Sequence, residues 1–285
     1  MEKVRPVSER FTATPPDLLA TIVGATRCAV GQRATDRPEA DVMTAASQAR
    51  PDGTRFQAVL ETPGSLNVIA ECKRRSPSQG IIRPDYSPER IAVSYQQAGA
   101  KAVSVLTEPT FFDGSLDHLR AVRRAVDLPV LRKDFIVTRY QLLEAVAAGA
   151  DAVLLIVAAL DDRELRSLSS QAEELGLAIL VEVHDRMELQ RAVDAGARII
   201  GVNNRNLHTL KVDLDATRML IEGIPRDVIG VAESGLQTTG DLRELGGLGY
   251  GAFLIGEALM RVPDPGEKLR ELLGVMEQDS LSVLD

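Results

Sequence analysis

AGAKAVSVL (98–106), AGADAVLLI (148–156) and AGARIIGVN (195–203) are three copies of one short text, and LGYGAFLIG (248–256) is a fourth, looser copy. Each runs from the end of an amphipathic segment, through a glycine, into an apolar run. Glycine at such a point supplies the left-handed backbone that closes a helix. The short apolar run after it reads as a strand. Self-similarity at a period of about fifty residues marks stacked supersecondary units, here two βα units per repeat.

Outward from these copies the pattern continues. Short apolar runs occur at NVIAECK (67–73), AVSVLT (102–107), PVLRKDF (129–135) and AVLLIV (152–157). They continue at AILVEV (178–183), RIIGVNN (198–204), VIGVAES (228–234) and GAFLIGE (251–257). Between them lie amphipathic segments that open on Ser, Thr or Asp and stop at Gly, such as SPERIAVSYQQAG (87–99) and TRYQLLEAVAAG (138–149). Each strand–helix–strand step is right-handed, so eight in series favour closure into a barrel with its helices outside. An open doubly wound sheet also holds eight strands, but no GxGxxG turn follows the first one. The predicted fold is therefore α/β, a (βα)8 TIM barrel over 67–285 with an N-terminal helical extension over 1–66. Within the extension, DLLATIVGATRCAVGQRA (17–34) reads as a helix weakened by Gly24 and Gly31. ARPDGT (49–54) and the polar text before it read as loop, and RFQAVLE (55–61) as a short helix. The first dozen or so residues are expected to be loose.

The bulk numbers narrow the function. At 285 residues and 45% hydrophobic, the chain can bury a sizeable core. A net charge of −8 opposes binding to nucleic acid or an anionic membrane, so any bound anion must meet a local group of cations. The two cysteines, Cys28 and Cys72, fit no metal-ligand spacing and no disulfide framework. No apolar run reaches the roughly 20 residues needed to span a bilayer. MEKVRPVSERF lacks the apolar centre of a signal peptide. The expectation is a soluble, cytoplasmic protein, with a monomer as the default.

Side chains alternate faces along a strand. Glu71 and Lys73 therefore share a face, Leu131 shares one with Lys133, and Leu154 with Ile156. Leu180 goes with Glu182, Val231 with Glu233, and Asn203 ends its strand. If these faces point inward, Glu71, Lys73, Lys133, Glu182, Asn203 and Glu233 meet at the C-terminal rim, where barrels of this kind do their chemistry. Any one of them alone reads equally well as a surface charge. Six at one set of strand ends, with no such set at the other, point to a site. Lysines beside glutamates hold one another in unusual protonation states, burial lowering a lysine's pKa and raising a glutamate's. Gly235 and Gly256 follow the seventh and eighth strands, where barrel loops bind phosphate through backbone N–H groups. Either glycine alone reads as a plain turn; with Lys73 across the mouth they suggest a phosphate site.

AECKRRSPSQGII (70–82), SVLTEPTFFDGS (104–115), VLRKDFIV (130–137), LVEVHD (180–185), GVNNRNL (201–207), VAESG (231–235) and FLIGEALM (253–260) together resemble the indole-3-glycerol phosphate synthase family. The likeness runs from about Asp17 to Leu273, in order and at matching spacing. It implies ring closure in tryptophan biosynthesis, with loss of carbon dioxide and water from 1-(2-carboxyphenylamino)-1-deoxyribulose 5-phosphate, and with no metal or organic cofactor. By motif, Lys133 resembles the general acid and Glu182 the group that takes a proton later. Glu71 and Lys73 resemble the pair at the start of the barrel, Lys73 holding the substrate carboxylate or phosphate and sharing the acid role. Asn203 and Arg205 would orient sugar hydroxyls, Glu233 and Ser234 would lie at the ribulose end, and Ser76 would be a first-loop contact. Phe112 and Phe135, with Leu131, Leu154, Ile156, Leu180 and Leu207, would form a dry slot for the aromatic ring. Phosphate would rest on amides near Gly235, Gly256 and Glu257. Many relatives carry Ser at Glu257, so its backbone rather than its carboxylate is expected to serve. Arg74 and Arg75 are expected to be structural ion-pair partners. Two rival readings are another phosphate-binding barrel of the same pathway, such as phosphoribosylanthranilate isomerase, and a barrel retained only as a scaffold.

Overall fold

The computed structural model describes residues 17–206 and 210–275. Three helices precede the first strand: α1 (Leu18–Asp36), α2 (Glu39–Ala46) and α3 (Gly53–Leu60). Strands and helices then alternate: β1 (Asn67–Cys72), α4 (Pro88–Ala98), β2 (Ala102–Leu106), α5 (Leu116–Ala125), β3 (Val130–Lys133) and α6 (Arg139–Ala148). Next come β4 (Ala152–Ile156), α7 (Asp162–Glu174), β5 (Ala178–Val183), α8 (Arg186–Asp194), β6 (Ile199–Asn203) and α9 (Asp215–Leu220). The series closes with β7 (Ile229–Glu233), α10 (Thr239–Leu248), β8 (Ala252–Ile255), α11 (Glu257–Met260) and α12 (Pro265–Leu273). The eight strands are parallel and form a closed barrel in sequence order, β1 pairing with both β2 and β8. No helix among the described residues is long and apolar enough to cross a membrane.

The four repeated texts are four copies of one joint. Gly99, Gly149, Gly196 and Gly249 all have positive φ, between 79° and 117°. In each copy the residue after the glycine donates its N–H back across the helix end: Ala100 to Tyr95, Ala150 to Ala145, Ala197 to Ala192 and Tyr250 to Leu245, at 3.0–3.2 Å. This is the hydrogen-bonding of a Schellman stop, which satisfies the last helical carbonyls and turns the chain toward the sheet. The following amide enters the barrel directly, as when Lys101 donates to Val68 O at 2.9 Å.

Alternation along the strands sorts the core into two shells. Ile69, Leu131, Leu154, Leu180, Val231 and Leu254 fill the barrel interior. Val68, Val103, Val153, Val181, Val202 and Phe253 face outward onto helix residues such as Tyr95, Leu119 and Leu142. Each large side chain so buried contributes roughly 1.5–3 kcal/mol. The N-terminal helices pack against both ends of the interior. Phe56 and Leu60 of α3 belong to the inner cluster, and Gly53 N donates to Gly176 O just before β5. Leu19 and Ile22 of α1 reach the opposite rim, beside Phe112 and Phe135.

Two expectations need correction. The polar text after α1 is not all loop, because α2 lies there, burying Val42 and Ala46. Its signal is weak because Pro38 stands at the cap position and makes no side-chain cap, and packing on α6 holds it instead. The helix expected over 17–34 forms as α1, with Gly24 and Gly31 inside it and facing open space. Several strands end sooner than their apolar text: β3 stops at Lys133, where the Asp134 carboxylate takes the Phe135 N–H at 2.8 Å. The first dozen residues and Leu207 lie outside the described residues.

Candidate active site

The C-terminal rim opens on a cavity of about 820 Å³. Glu71, Lys73, Lys133, Glu182, Asn203 and Glu233 all line it, each from the end of β1, β3, β5, β6 or β7. Phe112, Phe135, Leu154, Arg205, Ser234, Gly235, Gly256 and Glu257 line it too. Three predicted contacts do not. Leu131 and Leu180 are fully buried below the cavity floor, because they lie one side-chain layer deeper than Lys133 and Glu182 on the same faces. Ser76 is buried in an adjoining pocket of about 70 Å³, with Leu19 and Ile22 of α1. It sits in a small hairpin that pairs Arg75–Ser76 with Gly80–Ile81, its Oγ 3.3 Å from Ser78 Oγ.

One ammonium is shared between two carboxylates at the centre. Lys133 Nζ lies 2.6 Å from Glu233 Oε2 and 3.1 Å from Glu182 Oε2. Burial pulls the Lys133 pKa down, but the carboxylates of Glu233, Glu182 and Glu71 outweigh it, and the net shift is upward. Burial alone was expected to lower it; two anions within hydrogen-bond reach reverse the sign. For Glu182, burial pushes upward, yet Lys133, His184 and the Asn203 amide bring its pKa below the ordinary carboxylate range. Glu233 goes the other way: burial raises it to about 7, reinforced by the neighbouring charges of Glu182 and Glu71 and only partly offset by Lys133. The two carboxylates are thus shifted in opposite directions by the same buried surroundings, Glu182 downward and Glu233 upward. At the edge, Lys73 Nζ donates to Glu71 Oε1 at 2.6 Å.

Close backbone approach makes room for these groups. A Cβ at Gly201 would fall on Glu233 Oε1, and one at Gly256 on Glu71 Oε1. Gly201→Ala is expected to displace Glu233 and lower kcat by about tenfold or more, since small misplacements are costly in such sites. Steady-state kinetics beside an unchanged circular dichroism spectrum would check this.

Asn203 Oδ1 accepts from Arg205 N at 2.9 Å, which leaves its amide group to donate to Glu182. Arg205 reaches Glu257 Oε2 at 2.9 Å, and Arg261 holds the other oxygen at 2.8 Å. The Glu257 charge is thus matched by two guanidiniums. Ser234 and Gly235 have φ of 67° and 82°, and Asn204 Nδ2 bonds the carbonyls of Glu233 and Ser234 at 3.1 and 3.0 Å. The amides of Gly235 and Gly256 donate to no group among the described residues. Phe112 and Phe135 lie with ring centroids 6.2 Å apart at 39°.

Alternation missed several residues. The buried Glu108 carboxylate takes the N–H groups of Thr110, Phe111 and Phe112 at 2.9, 2.6 and 3.1 Å, and so shapes the loop that presents Phe112. Its placement just past β2 in TEPTFF was the available signal. On the outer face of β3, buried Arg132 binds Asp134, Glu144 and Gln141 O. Arg74 pairs with Asp113 at 2.7 Å as expected. Arg75 does not; it is exposed and makes no ion pair with the described residues, because the hairpin turns it outward.

The model of the indole-3-glycerol phosphate synthase family matches residues 19–272. A curated relative named indole-3-glycerol phosphate synthase, from Albidiferax ferrireducens, is 45% identical over 259 residues, covering 90% of this chain and 98% of its own. Among solved structures, 3-hexulose-6-phosphate synthase from Salmonella typhimurium superposes with a TM-score of 0.60 at 14% identity, over 74% of this chain and 98% of that one. Thiamine phosphate pyrophosphorylase from Pyrococcus furiosus gives 0.56 at 20% identity, over 74% and 95%. These two likenesses concern the barrel alone. On the extent of the family match and the identity to the curated relative, the chain belongs to the indole-3-glycerol phosphate synthase family.

Proposed function

We propose that this chain converts 1-(2-carboxyphenylamino)-1-deoxyribulose 5-phosphate to indole-3-glycerol phosphate, carbon dioxide and water by acid–base catalysis at the rim of the barrel. The observation that carries this reading is the Lys133 ammonium, held between Glu182 and Glu233 on the floor of a cavity that also offers an aromatic slot and amides with no partner among the described residues.

The ring carbon that bears the carboxylate attacks the ketone carbon, and the ketone oxygen takes a proton from Lys133. Its raised pKa keeps that proton in place until an alkoxide, a far stronger base, develops beside it. The bond to the carboxylate then breaks, and its electron pair restores the aromatic ring as carbon dioxide leaves. The new hydroxyl departs as water on receiving a second proton, in which Lys73 shares. The neighbouring carbon loses its proton to Glu182, whose depressed pKa leaves it ionised and ready. The sum is uptake of one proton, as loss of carbon dioxide from a carboxylate requires.

Around this centre, phosphate rests on the amides of Gly235, Gly256 and Glu257. Asn203 and Arg205 orient the sugar hydroxyls, with Glu233 and Ser234 at the ribulose end. The aromatic ring lies between Phe112, Phe135 and Leu154, where excluded water strengthens the surrounding charges. The purified chain is expected to produce indole fluorescence from this substrate without added metal. Consumption of phosphoribosylanthranilate with no indole product would overturn the reading.

A further inference from the structure

We infer that His184 is a positioning residue for Glu182: its ring, locked in place by Glu188, stands behind the carboxylate as a second cation beside Lys133. The inference rests on the proposed role of Glu182 as proton acceptor.

The local sequence explains the lock. In VEVHDRME (181–188), Asp185 caps α8 and its carboxylate takes the Glu188 N–H at 2.9 Å. Glu188 turns back past the cap, so that its Oε2 accepts from His184 N at 2.7 Å and meets His184 Nδ1 at 3.0 Å. This is a capping box displaced by one residue, with an imidazole drawn into it. A carboxylate can only accept, so Nδ1 is the donor. The other ring nitrogen, Nε2, is buried, has no hydrogen-bond partner among the described residues, and lies 3.5 Å from Glu182 Oε1. In a neutral ring with Nδ1 protonated, Nε2 would present a bare lone pair to a buried anion. A proton on Nε2 turns that repulsion into attraction, and a small rotation closes the gap to a hydrogen bond.

The surroundings favour the charged ring. His184 faces Glu188 from α8, Glu182 from β5 and Glu233 from β7; burial opposes its charge, but these groups raise its pKa on balance. Glu182 in turn faces Lys133 from β3, the Asn203 amide from β6, Glu233 from β7 and His184. Below its own pKa the imidazolium lowers the proton affinity of Glu182. Removing it raises that affinity, so the acidic limb of the kcat profile moves to higher pH.

The test compares kcat from pH 5.5 to 8.5 in the full chain and in His184→Asn. The expected loss is about tenfold at pH 6 and less than about twofold at pH 8, a shift that a merely structural role would not give. Glu188→Gln keeps an acceptor for the His184 N–H but removes the charge, and its limb should move the same way by less. The chain has three histidines, so nitrogen-15 imidazole spectra, assigned with His184→Asn, report the ring without reference to turnover. A doubly protonated His184 at pH 6 is expected. An unshifted acidic limb in both variants, or a neutral ring at pH 6, overturns the inference. If Glu182→Gln itself turns over normally, it is the proton-acceptor reading that falls instead.

Discussion

Lys133→Ala is expected to lower kcat by about 10² or more, the scale for loss of a positioned acid. The ammonium does two things that alanine cannot. In the proposed mechanism it carries the proton that the ketone oxygen takes as the carbon–carbon bond forms, and in the structure it is the cation between Glu182 and Glu233. Without it, Glu233, already the weaker acid of the two, takes up a proton, and Glu182 loses the cation that holds its pKa down. On the proposed mechanism Glu182 is then less ready to give up a proton after accepting one, so both halves of the reaction suffer from one substitution. The phosphate and sugar contacts proposed above lie elsewhere in the cavity, and KM should stay within about threefold. Indole fluorescence under saturating substrate measures the effect. Turnover near that of the unmodified chain would refute the role given to Lys133.

Arg132→Met is expected to destabilise the fold by about 3–5 kcal/mol, the range for breaking a buried ion pair by removing one partner. Arg132 is 1% exposed, and its guanidinium is the cation between Asp134 and Glu144. Its Nε also donates to Thr107 Oγ1 at 3.1 Å, and Nη1 to Gln141 O at 2.6 Å. Methionine fills much of the volume but leaves Asp134 without a cation and Glu144 dependent on Arg33, which is partly exposed. With an unfolding entropy scaled to 285 residues, the midpoint of thermal unfolding should fall by about 5–8 °C. Arg33→Ala, which removes only the half-exposed partner, should cost about 1 kcal/mol or less. Equal losses from the two substitutions would show that the buried guanidinium is not the centre of this network.

How much of this was legible in the sequence depended on distance along the chain. Strand alternation is strict and local, so the text alone brought Glu71, Lys133, Glu182 and Glu233 to one face. It gave the face but not the layer, which is why Leu180 was placed in the cavity when it lies beneath it. The outer face of β3 was unreadable for a different reason. Arg132 finds Glu144 twelve positions later, on a helix whose rotation about its axis is set only when it packs on the barrel. His184 stands one step past the last residue of β5, where alternation no longer applies, so the text LVEVHD does not reveal which way its ring points. Helix α2 lacked a side-chain cap and buries only two residues, so its formation depends on α6 rather than on its own text.

Arg132 and Lys133 are adjacent cations on opposite sides of one strand, each with its own pair of acids. A slip of β3 by a single residue against its neighbours would exchange them, putting a planar guanidinium where the proposed mechanism places a compact proton donor. The displaced ammonium would meet carboxylates arranged for a fork. Charge matching on both sides therefore fixes the phase of this short strand as firmly as its apolar residues do. An insertion or deletion within VLRK should accordingly fail as a whole, losing chemistry and cooperative folding together, whereas the same change in the hairpin at Gln79 leaves the phase of β3 intact.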